Sequence, residues 1–301
     1  MNGHEPARAA GCGGPRGPKV ESMRLAFKTS PQHTTWSDML DVWRAGDEID
    51  AFESGWTFDH FYPIFSDSDG PCLEGWLTLT ALAQATSRVR LGVLVTGIHY
   101  RHPAVLAKMA TTLDIISDGR LDLGIGAGWN EQESGAYGIP LGTPRERSDR
   151  FEEACEVLTG LLSQEHTTFA GQYYTLTDAR SEPKGPQLPH VPICIGGSGE
   201  KRTLRTAARF AQHWNFVGGT VEEFKHKVEV LHQHCADVGR DPSEIMISSH
   251  VRPGPDGDPG PAVEQAAEMA EFGLDLAIVT LPTPHRAKTL EPIAKAFAQL
   301  G

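Results

Sequence analysis

Residues 89–128 read VRLGVLVTGIHYRHPAVLAKMATTLDIISDGRLDLGIGAG, a stretch with two apolar runs and a helical stripe between them. It opens with an apolar, β-branched run (89–96) and closes with another (120–128). Between them Val105, Leu106, Met109, Leu113 and Ile116 recur at three- and four-residue spacing, which places them on one helical face. Both flanking runs are nearly continuously apolar, as expected of strands buried on two faces of a parallel sheet. The stretch is therefore one strand–helix–strand unit.

The same alternation runs outward in both directions. Strand-like runs fall at 24–29, 55–59, 192–197, 213–219, 244–251 and 274–281, which with the two above makes eight. Helical stripes fall within 37–53, 74–86, 199–211, 221–238, 262–272 and 285–299, and through Phe151, Ala154, Leu158 and Leu161. Eight such units predict a closed α/β (β/α)8 TIM barrel over residues 23–301. One stretch, TTFAGQYYTLTDARSEPKGPQLPHVP (167–192), breaks the rhythm. Its two-residue period around Gly171 and its prolines predict a small hairpin and linker between helix four and strand five.

Residues 1–22 are rich in Gly and Pro and contain no apolar segment of signal-peptide type. They are expected to form a disordered extension, with the fold and the native start at Met23.

The 301 residues carry 27 Lys and Arg against 39 Asp and Glu, a net charge of −12. That balance argues against a nucleic-acid partner and for a small-molecule ligand. No run approaches the ~18 apolar residues of a membrane helix. The five cysteines are scattered and odd in number, which suits reduced thiols in a cytoplasmic protein. No metal is expected, since in the tract His232-Gln-His234-Cys235 residues two apart on a helix do not share a face.

In a barrel of this kind the chemistry sits at the C-terminal ends of the strands. GWTFDHF (55–61) ends its strand on Asp59 and His60, an acid and an imidazole that are costly to bury without purpose. VTGIHYRHP (95–103) ends on Thr96, Gly97 and Ile98, with His99, Arg101 and His102 ahead of Pro103; those histidines suit capping roles better than ligand roles. LDLGIGAGWNE (121–131) removes side chains at Gly124, Gly126 and Gly128, leaving room for a flat ring near the backbone or answering tight barrel packing. Asn130 and Glu131 then stand close by. CIGGSGEKRTLR (194–205) places Gly196, Gly197, Ser198 and Gly199 before a helix expected to begin near Glu200, with Lys201 and Arg202 adding charge. Free helix N–H groups beside glycines suit a phosphate. G-x-S-x-G and H-E-x-x-H are both absent, so neither a serine hydrolase nor a zinc hydrolase has support in the sequence.

DHF (59–61), TGIHYRHPAVLAKMATTLDIISDGRLDLGIGAGWNE (96–131) and IGGSGEKRTLRTAARFAQHWN (196–215), in that order, resemble the luciferase-like monooxygenase superfamily and, within it, the F420-dependent oxidoreductases. The resemblance implies a deazaflavin ring in the barrel mouth, exchanging hydride at C5 with a small organic substrate. It sets Asp59 and His60 beside the ring, with His60 as the catalytic group. It implies a bulge with a non-proline cis peptide under the ring, placed at Gly97–Ile98. Gly126, Ala127, Gly128 and Asn130 would contact the cofactor, and the turn Gly196, Gly197, Ser198, Gly199, Glu200 and Lys201 would hold its phosphate. Relatives of this kind commonly pair as homodimers. FMN with a monooxygenase reaction is the alternative cofactor and activity, and a non-catalytic F420-binding barrel is the alternative outside enzymes. One departure stands out: Ala127 occupies the position where the sugar-phosphate dehydrogenases of the group have a glutamate acid. In KTSPQHTTW (28–36), Gln32 and His33 are polar where many relatives are apolar and are expected to shape a different substrate site.

Overall fold

The computed structural model describes residues 23–300; the expectation for the N-terminal extension lies outside the described residues. In chain order the strands are β1 (Arg24–Lys28), β2 (Phe52–Thr57), β3 (Arg90–Val93), β4 (Thr96–Gly97) and β5 (Leu121–Gly126). There follow β6 (Thr167–Ala170), β7 (Thr175–Ala179), β8 (Ile193–Gly196), β9 (His213–Phe216), β10 (Met246–Val251) and β11 (Leu276–Thr280). Strands β6 and β7 form an antiparallel hairpin with Phe169 opposite Leu176, as the two-residue period predicts. All the others pair in parallel, and the sheet closes where β1 joins β11 with Leu25 opposite Ala277. Because β3 and β4 are one strand interrupted, the barrel has eight staves, in the order β1, β2, β3/β4, β5, β8, β9, β10, β11.

The main helices are α1 (Trp36–Glu48), α2 (Gly75–Ala85), α3 (Pro103–Ile116), α4 (Glu131–Ala136), α5 (Pro144–Ser163), α6 (Thr203–Phe210), α7 (Val221–Val238), α8 (Gly260–Ala270) and α9 (Leu290–Phe297). Local sequence starts several of them. Helix α3 opens on Pro103, whose missing N–H costs nothing at a first turn, and His102 accepts the Ala104 N–H. Thr143 with Glu146 and Thr220 with Glu223 form reciprocal capping boxes on α5 and α7. Gly239, at φ 71°, ends α7 in the left-handed region that glycine enters most cheaply.

Several boundaries differ from those expected, four of them near the site or its supports. Strand β2 begins at Phe52 rather than 55, because Phe52 is fully buried and packs edge-on against Phe27; α1 therefore stops at Glu48. The third stave breaks at Leu94–Val95. The fourth unit holds two helices, α4 and α5, in place of one. Helix α6 starts at Thr203, three residues later than expected, with Ser198–Arg202 as an irregular turn.

The core lies in two layers. Between staves and helices Phe27, Trp43 and Phe52 interlock edge to face, with ring centroids 5.3 and 5.5 Å apart. Inside the barrel Ala26, Trp56, Leu94, Cys194, Leu276 and Ile278 form a separate plug. That plug closes the barrel from below, beneath a cavity at the C-terminal mouth.

Candidate active site

The mouth holds a cavity of ≈ 700 Å³. Its floor is not bare glycine backbone. The peptide Leu94–Val95 is cis, and both residues line the cavity. The cis bond thus lies three residues ahead of its expected place at Gly97–Ile98. Gly97 cannot be the bulge because it continues the ladder, with Thr96 opposite Ile125 and Gly97 opposite Gly126. Val95 rises from the bulge onto the glycines. A Cβ at Gly196 would stand 2.8 Å from Val95 Cγ1, and one at Gly126 2.9 Å from Val95 Cγ2. Gly126 and Gly196 therefore make room for Val95, so at these two positions packing and an open floor are the same feature seen from two sides.

One wall is built by His60, and its anchor is a residue the sequence reading passed over. Helix α4 carries Glu133, fully buried, whose Oε2 meets His60 Nδ1 at 2.7 Å. Oε2 also accepts the Tyr100 hydroxyl at 2.5 Å, and Oε1 accepts the Phe61 N–H at 2.6 Å. Burial pushes this carboxyl up, but the hydrogen bonds from His60, Tyr100 and Phe61 outweigh it and hold Glu133 below the usual carboxylate range. An ionised carboxylate only accepts, so Nδ1 carries the proton and Nε2 is left for the cavity, which His60 lines. Burial and the Glu133 charge push the Tyr100 phenol well above its ordinary value, so it stays a donor.

Asn130 does not reach the cavity as expected. Its Oδ1 accepts the Glu133 N–H at 3.1 Å and caps α4. It acts one step back, fixing the helix that presents Glu133. Glu131, its neighbour, has a side chain 82 % exposed and makes only a 3.8 Å contact with Arg147. The spacing Asn130-x-x-Glu133 is a helix-start signature, and it was the signal available for this residue.

Of the other expected site residues, Gly97, Gly126, Ala127, Gly128, Gly196 and Gly197 line the cavity with His60. Asp59 does not. It is 1 % exposed and takes a two-pronged ion pair from Arg101, which also reaches Glu74 at 2.8 Å. Thr96 accepts the Trp76 indole N–H at 2.9 Å, and Ile98 is buried in the core. These three shape the wall from behind.

The turn after β8 is less of an anion cradle than its glycines suggest. Gly197 gives its N–H to the Asn215 carbonyl at 3.3 Å. Glu200 turns toward α7, meeting Lys227 at 2.5 Å and His226 at 3.1 Å, and Arg202 is held by Asp149 and Glu152 at 2.7 and 2.8 Å. Lys201 is exposed, with no ion pair among the described residues. The Ser198 hydroxyl is buried without a hydrogen-bond partner, and Thr203 faces the cavity. Gln32 also lines the cavity, with its amide tied to both backbone groups of Ile64 (2.8 and 3.1 Å), while His33 meets Ser66 at 3.0 Å. In the His232–Cys235 tract, His234 bonds the Glu200 carbonyl at 2.8 Å and Cys235 is buried.

The chain belongs to the luciferase-like monooxygenase family, whose sequence profile matches residues 23–298. It is 30 % identical to the F420-dependent glucose-6-phosphate dehydrogenase of Kineococcus radiotolerans over 258 residues, 84 % of this chain and 74 % of that one. It is also 30 % identical to the F420-dependent hydroxymycolic acid dehydrogenase of Mycobacterium tuberculosis over 266 residues, 87 % of this chain and 71 % of that one. Among solved structures, an F420-dependent secondary alcohol dehydrogenase in complex with an F420-acetone adduct superposes with a TM-score of 0.82. That match has 20 % identity and covers 93 % of this chain and 100 % of the other. The last match bears on the fold alone, and it agrees with the closed barrel.

Proposed function

We propose that this luciferase-like barrel is an F420-dependent oxidoreductase in which His60, held by Glu133, handles the proton that accompanies hydride transfer to or from a small organic substrate. The observation that carries the reading is the His60–Glu133 pair opening onto a cavity floored by Val95. The relatives named as F420-dependent support the cofactor over FMN.

The residues present fit a flat, phosphorylated cofactor. Leu94, Val95 and the small residues Gly126–Gly128 offer one face of a slot, and Phe58 and His60 bound it laterally. The orphan Ser198 hydroxyl is a ready partner for a phosphate oxygen, with Thr203 and the start of α6 beside it. When bound, F420 supplies hydride exchange at C5 of its deazaflavin ring. His60 Nε2 accepts a proton from a substrate hydroxyl, or returns it, while Glu133, facing Nδ1, orients the ring and fixes the tautomer of its neutral form. Tyr100 and the Phe61 N–H keep Glu133 from swinging into the cavity. Ala127 has no proton to give, so glucose 6-phosphate is not the expected substrate; the carboxylate in this barrel acts through His60 instead.

The test is deuterium transfer. With C5-deuterated reduced F420, label should enter the product of a ketone or enone as the visible absorbance of the oxidised cofactor appears; with a carbinol-deuterated alcohol, label should pass to oxidised F420 as that absorbance is lost. Tight F420 binding with no label transfer to or from any of these substrates would leave a carrier rather than an enzyme.

We also infer that two copies pair through the outer faces of α2 and α3. Leu77, Val105 and Ile116 are 74, 54 and 38 % exposed there around an apolar groove. Sedimentation at micromolar concentration checks this, and a monomer would contradict it.

A further inference from the structure

The half of the cavity facing away from the glycines has a different chemistry. In the ring of eight staves, β3/β4, β5 and β8 supply the floor, and β10, β11 and β1 stand diametrically opposite. From those three come His250, Arg252, Thr280 and Lys28, all lining the cavity. Their level is set by register. Lys28 pairs with Thr280, and Val251 pairs with Val279, so Arg252 follows at the height of Thr280. His250 and Arg252, two residues apart on one strand line, face the same way.

This corner carries positive charge without a counter-ion. Among the described residues, no Asp or Glu lines the cavity. Lys28 Nζ donates to the Leu94 carbonyl at 3.3 Å, one contact to a neutral acceptor for a group with three donors. Arg252 has no hydrogen-bond or ion-pair partner among the described residues. His250 Nδ1 is 3.2 Å from the Thr280 hydroxyl. Burial first, then the neighbouring Arg252, lowers the Lys28 amine to about 7. Burial, Lys28 and Arg252 drive His250 far below its ordinary range, so it stays neutral. In a chain of net charge −12, Lys28 and Arg252 thus bring two basic groups to one corner of a cavity with no carboxylate among its described lining residues, a placement that favours an anion.

We propose that Lys28 and Arg252 form an anion subsite for the substrate, and that the substrate class is a carboxylic acid with an apolar body. The proposal rests on the oxidoreductase reading above and names its substrate. Arg252 offers a planar fork suited to a carboxylate, and Lys28 a point charge at its flank. Ile64, Phe65 and Val217 line the same cavity and suit an alkyl or aromatic body. His60 stands on the stave next to β1, so an acid anchored here presents its reacting carbon between imidazole and ring.

The test uses benzoate and its neutral isostere benzamide, titrated calorimetrically into the full chain with and without F420. Benzoate should bind at least about tenfold more tightly than benzamide. Arg252→Gln and Lys28→Met should each erase that preference while leaving F420 affinity within about threefold. Equal binding of the two probes would overturn the subsite. So would variants that weaken F420 and leave the benzoate preference intact, because the charges would then serve the cofactor. Arg252 is exposed, so its variant keeps the test clear of folding defects. A benzoate preference in a protein that does not bind F420 would sustain the subsite while removing the function it is built on.

Discussion

His60 Nδ1 and Glu133 Oε2 meet at 2.7 Å across 73 residues of chain, joining the end of β2 to the first turn of α4. Neither residue is informative alone. Together they fix an imidazole of one tautomer at the edge of the cavity, the group proposed above to handle the proton.

Glu133→Gln keeps the volume and removes the charge. Turnover should fall by ~10–100-fold with F420 affinity nearly unchanged, since an orienting partner is lost rather than a contact. The same variant tests the acid limb of stability. The folded carboxyl titrates below its usual value of 4.5, so its contribution is complete above that value and is lost as pH falls through the folded pKa. Melting curves from pH 3 to 7 should therefore show a shallower acid slope in the variant than in the wild type.

Asp59 belongs to the scaffold. Arg101→Met strands a buried carboxylate and should cost ~3–5 kcal/mol by chemical denaturation. Asp59→Asn should lower stability while leaving kcat within about threefold at a temperature where the fold persists. A kcat loss as large as that of His60→Ala would return Asp59 to the reacting centre.

Gly196→Ala should destabilise by ~1–3 kcal/mol through overpacking against Val95. Val95→Ala alone should weaken F420 binding by lowering the floor. The double variant should recover most of the stability but not the affinity, a coupling that a double-mutant cycle reads directly.

Benzoate affinity should fall as pH rises through about 7, the value to which Lys28 is lowered, because the anion needs the protonated amine. The charged or titratable groups acting on Lys28 are the Arg252 guanidinium and His250, which stays neutral. The slope is therefore assigned to Lys28, and Lys28→Met should flatten it in calorimetry between pH 6 and 9.

The alternation of strands and helices made the barrel legible, because a buried parallel sheet writes itself as apolar runs at regular intervals. The hairpin was legible from its two-residue period. Half of the site was legible too: the glycine floor and His60 fall at strand ends, where a local motif and a structural position coincide. Glu133 was harder to see, since its role depends on a partner 73 residues away and on α4, a six-residue helix too short to show a stripe. Lys28, His250 and Arg252 were missed for a related reason. Each is an ordinary polar residue at the end of an ordinary strand, and only barrel closure brings the three to one corner. The bulge was displaced because Gly97 looks like the natural place for irregular backbone, whereas the break sits in the apolar dipeptide Leu94–Val95, which has no sequence mark.

On the reading proposed above, this cavity takes a deazaflavin and His60 works on what lies beside it. Titrating the wild type and His60→Ala with F420 and with FMN, following tryptophan fluorescence and then steady-state turnover, checks both points. The predicted result is saturable F420 binding in both proteins within about tenfold of one another, no comparable FMN response, and a turnover loss of ~10²–10⁴ in the variant. Saturable FMN binding without an F420 response, or unchanged turnover in His60→Ala, would contradict it.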